Sequence, residues 1–327
     1  MNKYTVYNKK QYSISNTLAN SIRRVLINEI QTYTFDNIIF NNFKSSIYNI
    51  DYIIQRLRLI PLIQSKVSLY ENNKFQCKVV NNSDEFIPVT PKDITTNGNH
   101  IDFIDSKIYN NLPIIYLPPH EEIDFTCNVI KNNETGYNKY CHCWYDDENL
   151  YIESINKTDG KEIKEAIKYL IDQCKIISTK ISKNYFNISQ NNFKIDIKLE
   201  DISRSAINVI VYYSRIIIEY IIKAIKQQQQ EEKEITPSDF IISIVQPHLS
   251  ENKYSILFDI NDKYFLKSNE DLTKPNVVGY FKGYLDSNNI KLDRYKNSNT
   301  AVFIILGCIE CTIKYLLNYY KIFYNLK

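Results

Sequence analysis

The sequence predicts an α+β protein whose first half is a helical framework interrupted by a β-rich insert, followed by a smaller second half of mixed helix and strand. Three observations carry this. Apolar residues recur at helical spacing over 15–30 and again over 162–181, short strand-like runs separated by turn clusters fill 63–147, and helix, strand and helix alternate once more after 184.

Between Ser15 and Ile30, residues Leu18, Ile22, Val25, Leu26 and Ile30 fall three and four apart, so one helical face is apolar, with Ser15 as its N-cap. The other side carries Asn20, Arg23, Arg24 and Asn28: two adjacent guanidinium groups beside amides, a face suited to a polar partner. Thr32 to Tyr48 is rich in β-branched and aromatic residues and reads as strand, and Asp51 to Leu59 as a short helix closed by Pro61. Within the insert, Ser65–Tyr70, Phe75–Val80 and Ile114–Leu117 read as strands, broken by turn clusters at Asn81–Asp84, Asn97–Asn99 and Asn132–Gly136. A helix resumes at Glu162, started by Thr158 or Asp159, with Ile163, Ala166, Ile167, Leu170, Cys174, Ile177 and Ile181 on the face that should pack on the first helix. A third helix runs from about Ser203 into Ile225, with Arg215, Glu219 and Lys223 along a solvent-facing stripe. It ends in the polar tract QQQQEEKE at 227–234, read as a linker. A strand at Tyr254–Ile260, a helix near Val277–Leu285 and a terminal helix from Thr300 to about Phe323 complete the chain.

A composition of 44% hydrophobic and 24% charged residues excludes global disorder. The net charge of +3, from 40 basic and 37 acidic residues, gives no single-sign field of the kind that steers a protein onto DNA. Seven cysteines and an opening segment MNKYTVYNKK without an apolar core read as reduced thiols in an intracellular protein. The most apolar stretch, Ala301 to Ile309, is about half a bilayer span and reads as a buried helix, so no membrane is expected. Six unclustered glycines leave no phosphate cradle, and His100, His120, His142 and His248 stand in separate segments without a nucleophile or carboxylate constellation. Cys141, His142 and Cys143 alternate along a strand and cannot all reach one ion, so no metal is expected there; Cys308 and Cys311 read as small buried residues.

The ordered series Leu18-Ala19-Asn20-Ser21-Ile22-Arg23-Arg24-Val25-Leu26, Glu29, Asp36, Asp51 and Gln55-Arg56-Leu57-Arg58-Leu59-Ile60-Pro61-Leu62 resembles the signature of the RNA polymerase α-subunit family, which includes bacterial α and its paired eukaryotic and archaeal counterparts. Val89-Thr90-Pro91-Lys92-Asp93-Ile94 is similar to the family's insert-domain element. Leu117 to Ile123, with Gly136 and Lys139-Tyr140, is similar to its final hairpin, and Tyr151-Ile152-Glu153-Ser154 to its return strand. The resemblance implies an α-type dimerisation domain (1–62 and 148–183) split by a β-rich insert (63–147), fused to a second, smaller α-like module over 184–327 with a linker near 227–236. Two alignments stay open for the second module: one places its signature at Glu270, Asp271, Thr273 and Asn276, the other at Glu200, Asp201 and Asn208 with the turn Pro247-His248-Leu249.

By that resemblance the chain is a non-catalytic scaffold that brings together the two large catalytic subunits of a DNA-directed RNA polymerase. Smaller polymerase subunits would also be partners, and DNA and RNA would be met only through the complex. The partner-binding residues would be Asn20, Arg23, Arg24, Arg56, Arg58 and Leu59; no cofactor is expected in this chain, Mg²⁺ belonging to the catalytic subunits. Some relatives hold a zinc or iron–sulfur site in the insert, but residues 63–126 contain only Cys77. Fusion of two such halves resembles the subunits of some large cytoplasmic DNA viruses, which implies host cytoplasm or virion, or the nucleus if the protein is cellular. Two other classes stay open: a homodimeric interaction module outside transcription, told apart by purification without any polymerase subunit, and a nucleic-acid-processing enzyme, told apart by activity of the isolated chain.

Overall fold

The computed structural model describes residues 4–60, 62, 73–96, 99–100, 111–132, 141–154, 161–182, 186–188, 194–200, 202–228, 240–245, 253–260, 277–290 and 300–324. In chain order the elements are β1 (Tyr4–Asn8), α1 (Asn16–Arg24), β2 (Thr32–Lys44), α2 (Ile50–Arg58), β3 (Phe75–Val80), β4 (Ile87–Val89), β5 (Ile94–Thr96), β6 (Asn99–His100), β7 (Ile115–Leu117), β8 (Glu122–Asn132), β9 (Cys141–Tyr145) and β10 (Asn149–Ser154). They continue with α3 (Lys161–Ser182), β11 (Phe186–Ile188), β12 (Lys194–Glu200), α4 (Arg204–Gln228), β13 (Phe240–Val245), β14 (Lys253–Ile260), α5 (Val277–Ser287) and α6 (Thr300–Tyr324). The chain is α+β, as its patterning predicts.

Two compact units are present: Met1–Tyr4, Leu26–Cys143 and Ile152–Thr158 make the first, and Thr5–Val25, Trp144–Tyr151 and Asp159–Lys327 the second. These limits do not coincide with the boundaries expected at 62/63 and 147/148. The reason is pairing: β2 runs antiparallel to β8 along thirteen residues' length, from Thr32↔Asn132 to Lys44↔Glu122, and β8 pairs in turn with β3, which ties β2 to the strands of the first unit.

In the first unit the sheet order is β2-β8-β3-β5-β6, with β4 and β7 forming a separate antiparallel pair. Its core gathers Phe35, Phe75 and Phe125 with Ile53 and Leu57 of α2, all at 0% exposure, and the rings of Phe35 and Phe75 meet edge to face at 5.6 Å. The register of β2 shifts between Asp36 and Ile39, where Asn37 adopts φ 49°, a left-handed conformation that asparagine tolerates better than most residues. The Thr90-Pro91-Lys92-Asp93 segment folds as a capped turn, Asp93 Oδ2 accepting from Thr90 N at 2.7 Å.

In the second unit, α1 begins at its expected cap: Ser15 Oγ accepts from Leu18 N at 3.1 Å. The helix read from sequence as continuous to Ile30 ends at Arg24 and passes into a π-helical turn, Val25–Glu29. Helix α4 joins β12 to β13 and lies against β13, in a four-stranded antiparallel sheet ordered β11-β12-β14-β13. Helix α3 packs along α6, α4 packs on α6 and on α1, and α5 packs on α4. The expected contact between α3 and α1 is present but slight, because α6 takes the greater part of the apolar face of α3. Where α1 approaches α4 the side chains are small: Ser21 Oγ donates to the Ser205 carbonyl at 3.3 Å beside buried Ala206. A further three-stranded sheet is ordered β1-β10-β9.

Among the described residues two helices are long and apolar enough to cross a membrane, Arg204–Gln228 and Val302–Tyr324, so the apolar pattern at 301–309 extends further than its sequence suggests. Their most apolar windows are 67% and 61% buried against the rest of the chain. The terminal end of α6 is anchored by Phe323, whose ring meets Tyr7 at 5.4 Å, and by Tyr319, whose hydroxyl donates to the Ser13 carbonyl at 2.7 Å.

All seven cysteines are buried and none forms a disulfide. Burial pushes Cys127, Cys174 and Cys311 up to about 12, and pushes Cys77 and Cys308 well above the usual thiol range. Folded-state values raised above the unfolded one mean that the neutral thiols stabilise the fold fully below about 8.5 and lose that contribution as pH climbs toward 12. The chaotrope midpoint should therefore hold from pH 7 to 8 and fall from about pH 9 upward. At pH 8 the native chain should react with almost no thiol reagent and the unfolded chain with all seven equivalents. Rapid labelling of several thiols in the native state would contradict this packing.

Candidate functional site

The residues expected to bind partners fall in two places. Asn20, Arg23 and Arg24 lie on α1 in the second unit; Arg56, Arg58 and Leu59 lie at the end of α2 in the first.

On α1 the apolar side is closed, with Leu18, Ala19 and Ile22 at 1% exposure or less, so the polar side is the one left for contact. Arg23 folds back along its own helix, Nε and Nη2 donating to Asn20 Oδ1 at 3.3 and 3.1 Å. Arg24 differs: its Nε is shut from solvent and meets no acceptor among the described residues, while the residue as a whole is half-buried. A closed-off N–H without an acceptor costs about 1–3 kcal/mol.

At the end of α2 the guanidinium groups are engaged within their own unit. Arg58 Nη2 reaches Asp36 Oδ1 at 2.7 Å, Asp36 Oδ1 also accepts from Asn37 N at 2.9 Å, and Thr34 Oγ1 donates to the Arg58 carbonyl at 2.8 Å. This ties the end of α2 to the bulged part of β2. Arg56 donates to Tyr52 Oη at 3.2 Å and to the Pro113 carbonyl at 2.8 Å, its guanidinium 5.6 Å from the Tyr52 ring centre. Leu59 is 48% exposed. Arg58 thus braces α2, whereas Arg56 and Leu59 present a surface.

The alternative second-half signature at Glu270, Asp271, Thr273 and Asn276 lies outside the described residues, as do Pro247, His248 and Leu249. Of the other alignment, Asn208 is described and sits in the first turns of α4, which Ser203 caps by accepting from Ala206 N at 3.1 Å. Cys141 and Cys143 point to the buried side of β9 and His142 to the exposed side. Among the described residues no three His, Cys, Asp or Glu side chains converge as a metal site would require.

Between α1 and α4 the second unit opens a cleft of about 450 Å³, lined by Asn16, Asn20, Tyr145, Asn208, Tyr212 and Arg215 among others, with Val211 and Ile244 as its apolar part. Sequence reasoning placed Arg215 on a solvent stripe with Glu219 and Lys223. The Lys223–Glu219 pair forms at 2.8 Å and Arg215 is exposed as expected; its Nε also donates to the Ile242 carbonyl at 2.6 Å, because β13 lies beside α4, a placement no helical period reveals. Lys9 was missed altogether: it is 6% exposed, its Nζ donating to Asn16 Oδ1 and to the Asp146 carbonyl, and it looks in sequence like any solvated lysine of a polar opening segment.

The model of the RNA polymerase Rpb3/Rpb11 dimerisation domain matches residues 13–244, a span that includes α1, strands β2 to β10, α3 and α4. None of the curated proteins compared with the chain matches it. With its α1 signature and helix pairing, and with that match over more than half its length, the chain belongs to the RNA polymerase Rpb3/Rpb11 dimerisation domain family, the α-like subunits of RNA polymerase.

Proposed function

We propose that this chain is the non-catalytic assembly subunit of a DNA-directed RNA polymerase and carries both α-like halves of the usual pair in one polypeptide. The observation that supports it best is the helix pairing of the second unit. Helices α1 and α3 come from the first half, α4 and α6 from the second, and the apolar faces of the first pair are covered by the second. In a two-chain arrangement that contact would be an interface between subunits; here a covalent link raises the effective concentration of one half for the other. The strand–helix–strand unit β12–α4–β13 favours the signature around Glu200 and Asn208 as the core of the second module, with the inserted sheet as a separate domain of the first.

In this reading the polar side of α1 recruits the two large subunits, while polymerisation and its Mg²⁺ ions belong to those chains. Arginine suits the task because its planar fork stays charged and binds bidentately when partly desolvated. Purifying the tagged chain from the cells that make it, and identifying what co-elutes, tests this directly. Two large polymerase subunits in stoichiometric amount are expected; a homodimer free of them would overturn the reading, and nucleotide incorporation by the chain alone would overturn its non-catalytic part.

A further inference from the structure

The cleft between α1 and α4 carries a polarity that its amino acids alone do not dictate. Asparagine offers an acceptor oxygen and a donor nitrogen, and either could face a ligand. Here the oxygens of two of the three lining asparagines, Asn16 and Asn20, already accept from this chain. Asn16 Oδ1 accepts from Lys9 Nζ and Asn20 Oδ1 from Arg23; since both partners can only donate, the assignment of oxygen and nitrogen in each amide is fixed by chemistry. The Nδ2 groups of Asn16 and Asn20, four residues apart on one side of α1, are left without an acceptor among the described residues. On the facing wall Arg215 is anchored through Nε to the Ile242 carbonyl, which leaves its terminal nitrogens for the cleft. No Asp or Glu is among the described residues that line the cleft. Beneath it, the 6%-exposed Lys9 holds its charge close to Asn16 and 5.4 Å from the ring centre of Tyr145.

The same wall includes Ile244 of β13, and among the described strands β13 is an outer strand of the sheet β11-β12-β14-β13. An outer strand offers backbone groups to an extended peptide, and a cleft beside it receives that peptide's side chains. We propose that this cleft receives a carboxylate side chain carried by an extended acidic segment of a partner polypeptide lying along the outer edge of β13. The donor array selects an anion. One cation within the lining favours a single carboxylate over a nucleic-acid backbone, whose successive phosphates demand a row of basic side chains.

This proposal rests on the reading of the chain as an assembly subunit, and its test keeps the two apart. The double variant Asn16→Asp with Asn20→Asp preserves the contacts to Lys9 and Arg23, so the fold should hold, yet it replaces two donors by carboxylates. In the purified assembly it should lower retention of one partner by about tenfold or more at moderate salt, with an unchanged melting temperature. A photo-crosslinking residue in place of Thr17, in an otherwise unaltered chain, should join a polypeptide segment containing Asp or Glu. If the unaltered chain retrieves no polymerase subunit, the assembly reading falls and this proposal with it. If it does retrieve them, but the double variant retains its partners fully, or the adduct is nucleic acid or a segment without Asp or Glu, or no adduct forms, the proposal alone is overturned.

Discussion

A chain ended after residue 183 should lose the soluble monomeric state and either pair with itself or aggregate. Helix α3 turns Ile163, Ile167, Leu170, Ile171, Ile177 and Ile181 inward, each at 4% exposure or less, and α6 is the helix that covers most of that face. Returning a buried Leu or Ile to water costs about 1.5–3 kcal/mol. Six of them approach or exceed the whole stability of a typical domain, about 5–15 kcal/mol. Supplying residues 184–327 as a separate chain should restore a one-to-one soluble complex. A truncated chain that stays monomeric and unfolds cooperatively would show that the first half does not need the second.

The double change Arg23→Ala with Arg24→Ala should reduce retention of the large subunits by about a hundredfold, the scale of losing charge-assisted interface bonds. Its melting temperature should not fall. Among the described residues Arg23 is bonded only to Asn20 of its own helix, so its loss shifts stability by under about 0.5 kcal/mol, and Arg24 Nε has no acceptor there, so its removal gives up no bond and lifts a burial cost. Ile22→Ala is the control on the other face: at 0% exposure it should cost about 2–5 kcal/mol of stability. A double mutant that melts far below the parent, or that retains its partners, would put the binding surface elsewhere.

The helices were legible because their apolar residues repeat at the helical period: Leu18 and Ile22 of α1, and Ile163, Ile167, Leu170, Cys174, Ile177 and Ile181 of α3, are all buried as their spacing requires. The capped turn at Thr90 and the strand at Phe75–Val80 follow from equally local signals. What was hidden depends on chain segments far apart in sequence. Nothing within Thr32–Lys44 names β8 as its partner, so the grouping of that strand with β8 in one compact unit could not be read from it. Nothing in a polar opening segment marks Lys9 for burial, and the role of Arg58 as a brace needs Asp36, held in place by a bulge that no propensity locates. The donor character of the cleft is further from sequence still, since it depends on which atom of each asparagine is already occupied.

The central claim is that one chain holds both partners of an α-like pair. Sedimentation of the purified full-length protein over a wide dilution range tests it most directly. Paired internally, the chain should sediment at the mass of a single copy at every concentration, because the surface that an isolated first half would use for pairing is already covered by α4 and α6. A homodimer that survives dilution to nanomolar concentration would show that the pairing surface is open on each copy, and would contradict the account.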